Sequence, residues 1–139
     1  MSEPDIYWEG VSSRKYGYWM HKIDTSFKEA PGNYIYAKEV SPGRWKAVYI
    51  GQTSSLSDRL GNHEKEACAI RNGATHIHAH TNSSSEDTRT SEEVDLIKRW
   101  SPVCNEVYAY RLRLDSASEA QPRSNLSRWA SFGGPVLSA

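Results

Sequence analysis

The 139-residue chain carries no surplus of charge: 17 Lys and Arg face 17 Asp and Glu, for a formal net charge of +0. That balance excludes a strongly basic nucleic-acid module and an acidic tail protein. It does not exclude a local basic groove, because a sum says nothing about distribution. Long apolar runs are also missing. None approaches the roughly 20 residues of a membrane span, and the mean hydropathy is −0.72, so no membrane protein is expected. Cysteine is scarce: Cys68 and Cys104 stand far apart, without CxxC or zinc-finger spacing. The expectation is two free thiols acting as small hydrophobes. Met1-Ser2-Glu3-Pro4-Asp5 lacks the basic start and apolar stretch of a secretory signal, which points to a cytoplasmic location.

What is present amounts to one domain's worth of chain with composition shifts at both ends. Residues 1–30 are rich in aromatics, with Tyr7, Trp8, Tyr16, Tyr18 and Trp19, and read as an extension packing on the domain, with a strand over 16–23. Residues 31–114 carry most of the periodic structure. Residues 115–139 are dominated by Ser, Ala, Pro and Gly and read as a flexible tail, short of apolar area to offset ordering. Within the middle region, 33–38 and 45–50 are aromatic and β-branched around Ser41-Pro42-Gly43, a β-hairpin signal. Ser54 or Ser55 caps a helix beginning near Leu56, with Leu56, Leu60, Ala67 and Ile70 on its apolar side, and Asn72-Gly73 stops it. Residues 74–80 alternate strictly as a third strand. Val94, Leu96, Ile97 and Trp100 mark a second helix over 86–100, ended by Pro102. Residues 106–114 fit a strand or a short helix. The order predicts an α/β (α+β) domain: a small antiparallel or mixed sheet of three or more strands, flanked by helices.

The chemistry-bearing residues fall into an ordered set. Gly32-Asn33-Tyr34 lies on the first hairpin strand, and Tyr49-Ile50-Gly51 closes the second. Arg59 and His63 follow, four residues apart and therefore on one face of the predicted helix. Glu93 precedes Leu96-Ile97, and Pro102-Val103-Cys104-Asn105 follows. Any one piece is weak, but their joint order and spacing over residues 31–105 resembles the GIY-YIG nuclease superfamily. The first motif departs from the family name at Asn33, while the second matches letter for letter.

That resemblance implies a divalent-metal-dependent endonuclease that cuts DNA phosphodiesters by one-metal in-line attack of water. Phosphodiester hydrolysis needs an activated water, charge stabilisation on the phosphoryl oxygens and help for the leaving oxygen. The residues meet those needs in kind. Glu93 offers a hard carboxylate for Mg²⁺ or Mn²⁺. Arg59 offers a charged fork for phosphate. Tyr34 is the candidate general base or a relay to one, and Tyr49 would bond the water or the phosphate. His63 would assist proton transfer or orient Tyr34. Asn105 would fix local backbone, and Gly51 would let the strand turn closely into the helix. Glu92 is the rival for the metal role, disfavoured by its distance from Leu96-Ile97 and Asn105. A homodimer or a partner protein would supply target recognition.

Each residue also has an ordinary explanation when taken alone. Strand tyrosines are usually core, and Arg59, His63 and Glu93 could belong to solvated helix faces. An alternative of another class is a catalytically inactive nucleic-acid-binding module of the same fold. A third is a zinc hydrolase built on His76, His78 and His80, which share one strand face. The favoured reading of those histidines is a polar strand face, with Ile77 and Ala79 turned to the core. The four arginines Arg111, Arg113, Arg123 and Arg128 lie beyond the motifs, leaving the motif-bearing part slightly acidic. Modest DNA affinity is therefore expected, with positive potential confined to a cleft around Arg59.

Overall fold

The computed structural model describes residues 2–105; the segments 106–114 and 115–139 lie outside the described residues. The elements run β1 (Ile6–Glu9), β2 (Lys15–Lys22), β3 (Gly32–Ser41), β4 (Arg44–Thr53), α1 (Leu56–Gly61), α2 (Glu66–Arg71), β5 (His76–Thr81) and α3 (Glu86–Trp100), followed by a 3-10 turn at Val103–Asn105. The strands form one five-stranded sheet of order β1-β2-β5-β3-β4, with every pairing antiparallel. The fold is α+β, as the sequence predicts. Among the described residues no helix is long and apolar enough to cross a membrane.

The hairpin β3–β4 turns at Gly43, whose φ of 77° is the left-handed conformation that a glycine adopts without strain. Strand alternation then sorts the core into two layers. Ile35, Ile50, Trp8 and Tyr18 pack with Leu96 and Trp100 beneath α3. Tyr34, Tyr36, Val48 and Ile77 pack on the opposite face with Leu56 and Leu60 of α1. The N-terminal aromatics contribute to the sheet itself, because β2 pairs with β5 through Trp19↔Ala79 and Met20↔His78.

Four sequence expectations change. The helix expected from Leu56 to Asn72 is two short helices, broken across residues 62–65. Gly61 and Asn62 end the first, and the His63 ring stabilises the break by accepting the Lys65 amide at Nδ1, 2.9 Å away. Gly51 does not serve a strand-to-helix turn, since β4 continues to Thr53 and Ser55 caps α1.

The histidine strand is not a polar face. β5 is central, with β2 and β3 paired to its two edges, and Ile77, His78 and Ala79 are all buried, so both of its faces are covered there. His78 is fully buried, takes the Trp8 indole N–H at 3.0 Å on Nδ1, and packs against Trp45. Burial, followed by the neighbouring His76 and His21, holds its pKa down at about 3. His80 instead faces Glu92, and His76 faces Thr75. Among the described residues no group of three metal-binding side chains converges, on this strand or elsewhere.

The two cysteines are not free thiols. Cys68 of α2 and Cys104 of the 3-10 turn form a disulfide across a sequence separation of 36. Sequence spacing gave no sign of it, because α2 and the turn meet only after β5 and α3 have been laid down. Closing a loop of this length restricts the unfolded chain by about 3–4 kcal/mol. Reduction is therefore expected to lower the melting temperature by roughly 10–15 °C. Thermal melts with and without reductant check this, and Cys104→Ser should melt at the reduced value under both conditions.

Candidate active site

Tyr34 stands at the centre of the tyrosine layer. Its cross-strand neighbours are Gly51 on β4 and Ala79 on β5, so small residues flank it on both sides. A Cβ at Gly51 would lie 2.5 Å from Tyr34 Oη and 2.6 Å from Cζ. The glycine is required because the phenol ring lies across it. The ring stacks near Tyr49 at 6.2 Å between centroids and meets His63 edge-on at 5.4 Å.

The hydroxyl of Tyr34 gathers two groups from the broken helical segment. His63 Nε2 lies 2.7 Å from Oη, and Arg59 Nε donates to the same oxygen at 3.4 Å. The tautomer of His63 follows from its other nitrogen. Nδ1 accepts the Lys65 amide, so the neutral ring carries its proton on Nε2 and donates it to Tyr34. Burial, then the charges of Arg59 and Lys65, lower the His63 pKa to about 4, which keeps the ring neutral near pH 7. Tyr34 Oη thus receives two donors, and its own proton is left for a third partner.

Electrostatics at the phenol oppose each other. Burial raises the Tyr34 pKa strongly, the neighbouring Tyr49 adds to it, and the Arg59 hydrogen bond and charge pull it down. Tyr49 is raised by burial and drawn down by the same guanidinium. Arg59 has a carboxylate at 3.8 Å in Glu64, but both side chains are substantially exposed, so this pair contributes little. The guanidinium is turned toward the tyrosines.

α3 supplies two adjacent carboxylates with different fates. Glu92 is buried and fully engaged: Tyr18 Oη donates to Oε2 at 2.6 Å, His80 Nε2 lies 2.8 Å away, and Asn82 Nδ2 reaches Oε1 at 3.4 Å. Glu93 receives no hydrogen bond from the described residues, and its charge is felt at Tyr34 and Tyr49. Burial raises its carboxyl to about 7. The structure therefore separates the two candidates: Glu92 is consumed in holding the helix, and Glu93 is left to the site. An unshared, half-buried carboxylate suits a hard cation that keeps most of its own water shell.

Asn105 acts on the backbone of the second motif. Its Oδ1 accepts the Ile50 amide at 2.8 Å and its Nδ2 donates to the Ile50 carbonyl at 3.0 Å. The side chain thus pairs with the free edge of β4 as a neighbouring strand would, and holds Tyr49 and Gly51 in register.

All six sequence-predicted residues therefore lie at or against one site, though not always for the expected reason. Arg59 and His63 do not share a helix face; His63 lies in the break after α1 and still reaches Tyr34. Sequence reasoning missed Tyr36, whose hydroxyl donates to Glu66 at 3.2 Å beside His63. It also missed the polar network of Asn33, Gln52, Asn82 and Arg89 on the α3 side. Asn33, the departure within the first motif, was the available signal, since a polar residue on a central strand needs buried partners.

Among solved structures, the chain is similar to three point mutants of the GIY-YIG N-terminal endonuclease domain of UvrC from Thermotoga maritima. Each is bound to its catalytic divalent cation. Sequence identity is 25%, 26% and 25%, the alignments cover 55% of this chain and 83% of those chains, and the TM-score is 0.44 in each case. No family model matches the sequence, and no curated protein does.

Two outcomes follow from the geometry. A carboxyl raised from 4.5 to about 7 by burial favours the fold in its protonated form. That stability is complete below the unfolded value and is lost as pH rises through the folded one. In chelator, Glu93→Gln should match wild type near the acid limit and exceed it by about 2–3 kcal/mol near pH 8. Denaturant titrations across pH measure the difference. Gly51→Ala should leave the fold cooperative but displace the Tyr34 ring from His63, which shifts in the His63 imidazole resonances would report.

Proposed function

We propose that the chain is a divalent-metal-dependent endonuclease of the GIY-YIG type, hydrolysing phosphodiester bonds in DNA. One observation carries the reading: the Tyr34 hydroxyl accepts from both Arg59 and neutral His63, with the unshared Glu93 carboxylate in electrostatic range. Such an arrangement has little use in a core, where a tyrosine needs a single partner.

The phosphate approaches Arg59, whose remaining donors suit a phosphoryl oxygen. The Tyr34 proton, or the lone pair left after its loss, is directed at the nucleophilic water. A phenolate is costly in this burial; the Tyr34 proton passes to solvent before attack, and Arg59 and His63 are the two donors that stabilise the anion left behind. The anion then takes the proton of the attacking water. His63 donates at Nε2 and so orients Tyr34; it does not take its proton. Tyr49, drawn toward the same guanidinium, bonds the water or a phosphoryl oxygen. Glu93 is the residue that would hold Mg²⁺ or Mn²⁺, which when bound supplies positive charge for the phosphoryl and leaving oxygens. Asn105 and Gly51 keep these groups in place. Recognition of a target site is left to a second copy or to a partner protein.

The test is cleavage of supercoiled plasmid, linear duplex, branched DNA and RNA with Mg²⁺ or Mn²⁺. Wild type should cut at least one DNA substrate. Tyr34→Phe, Arg59→Ala and Glu93→Gln should each fall by about 100-fold or more. His63→Gln, which can still donate to Tyr34, should retain more activity than His63→Ala. A wild type that binds DNA but cuts nothing would instead mark an inactive binding module, and a Glu93→Gln enzyme as active as wild type would refute the site.

A further inference from the structure

Arg89 and Glu93 stand four residues apart on one stripe of α3. Arg89 is 6% exposed. Its Nε donates to Gln52 Oε1 at 3.1 Å, and its Nη1 donates to the carbonyls of Ser84 at 2.6 Å and Asn82 at 3.4 Å. All three acceptors are neutral. Among the described residues no carboxylate lies within ion-pairing distance of this guanidinium. The nearby carboxylates are committed elsewhere: Glu92 to Tyr18 and His80, while Glu86 and Asp87 are exposed in the first turn of α3. Glu93 carries no compensating pull from Arg89, since burial alone accounts for its raised carboxyl.

Nη2 is the remaining part of the fork. It has no acceptor among the described residues, and it is not sealed off, because the sole buried side-chain polar atom without a partner there is His78 Nε2. A permanently charged group buried to this extent without an anion carries a large desolvation cost. The structure offsets part of it through three inward hydrogen bonds and leaves the Nη2 edge without an acceptor among the described residues. The position of that edge is informative. Gln52, which fixes Nε, directly follows Tyr49-Ile50-Gly51, and residues 82–85 lead into α3, whose N-terminal amides favour an anion.

We propose that Arg89 is a second phosphate-binding residue, its Nη2 edge taking a backbone phosphate that flanks the one at Arg59. The nature of the ligand, a nucleic-acid backbone, rests on the nuclease reading above. Arg59 lies on α1 against the Tyr34 hydroxyl, and Arg89 lies on α3 against Gln52, the residue that follows Gly51 on β4. Two neighbouring phosphates of one strand would thus be held from opposite sides, which sets the strand's direction across Tyr34.

The experiment uses a fluorescein-labelled duplex in chelator, with affinity measured by anisotropy over roughly 50–300 mM salt. Arg89→Gln should weaken binding about tenfold and reduce the slope of log K against log salt by about one. Arg44→Ala, at the far turn of the sheet, should change neither. Gln52→Glu is a second route that leaves Arg89 in place. It supplies the missing carboxylate at Nε, so it should lose a similar unit of slope while raising the melting temperature. In cleavage assays Arg89→Gln should raise KM more than it lowers kcat.

A wild-type slope in either folded variant would overturn the assignment and leave Arg89 as a clamp on the loop before α3. If that occurs while wild type cuts DNA and Arg59→Ala does not, only the Arg89 assignment falls. If wild type neither binds nor cuts DNA, the nuclease reading falls and takes the assignment with it.

Discussion

The rotation of α3 about its own axis decides what the site contains. Glu92 and Glu93 are adjacent, so their side chains leave the helix about 100° apart. Beneath the helix, Tyr18 and His80 hold Glu92 at 2.6 and 2.8 Å, and Asn82 adds a third contact. Asn33 ties the first turn by donating to the Arg89 carbonyl at 3.0 Å. Leu96 and Trp100 bury the rest of that stripe against Trp8 and Ile35. With this face fixed, Glu93 can only emerge at the side of the helix, toward Tyr34 and Tyr49. A buried carboxylate with three donors resists rotation far more than an apolar contact would, because losing any donor leaves charge unsatisfied. The strength of that anchor lets a second, unsatisfied carboxylate stand next to it.

The same division recurs around the tyrosine layer. Groups that hold structure have their hydrogen bonds completed: Asn105 on Ile50, His63 Nδ1 on Lys65, Glu92 on Tyr18, His80 and Asn82. Groups proposed to act are left with capacity: the Tyr34 proton, the outer donors of Arg59, the Glu93 carboxylate, the Nη2 of Arg89. Burial raises the cost of every one of them, and that cost appears as displaced pKa values at Tyr34, His63 and Glu93. Perturbed groups of complementary kind within one layer mark a functional site more reliably than any one of them alone.

Much of this was readable from the chain. The hairpin β3–β4, the capping serine before α1 and the full span of α3 follow from local signals that act within a few residues. So do the residue types at the site, which the ordered motifs picked out together. Other features depended on contacts that local pattern does not encode. His76, His78 and His80 alternate as a polar face should, yet Trp8 and Trp45 close over His78, and Glu92 of α3 meets His80. Arg59 and His63 have helical spacing, yet the helix breaks between them. Cys68 and Cys104 look unrelated until α2 and the 3-10 turn are brought side by side.

The sequence by itself determined which residues carry charge, hydroxyls and rings, and which short stretches become strands or helices, because propensity, capping and alternation are properties of neighbours along the chain. Only the tertiary structure decided which of two adjacent glutamates is spent on packing and which is left free. It also decided which nitrogen of His63 bears the proton, and that Arg89 is buried without an anion. The physical reason is common to all three. Burial and hydrogen-bond satisfaction depend on groups brought together from distant segments, and these set the energy of a charge far more strongly than its place in the sequence does.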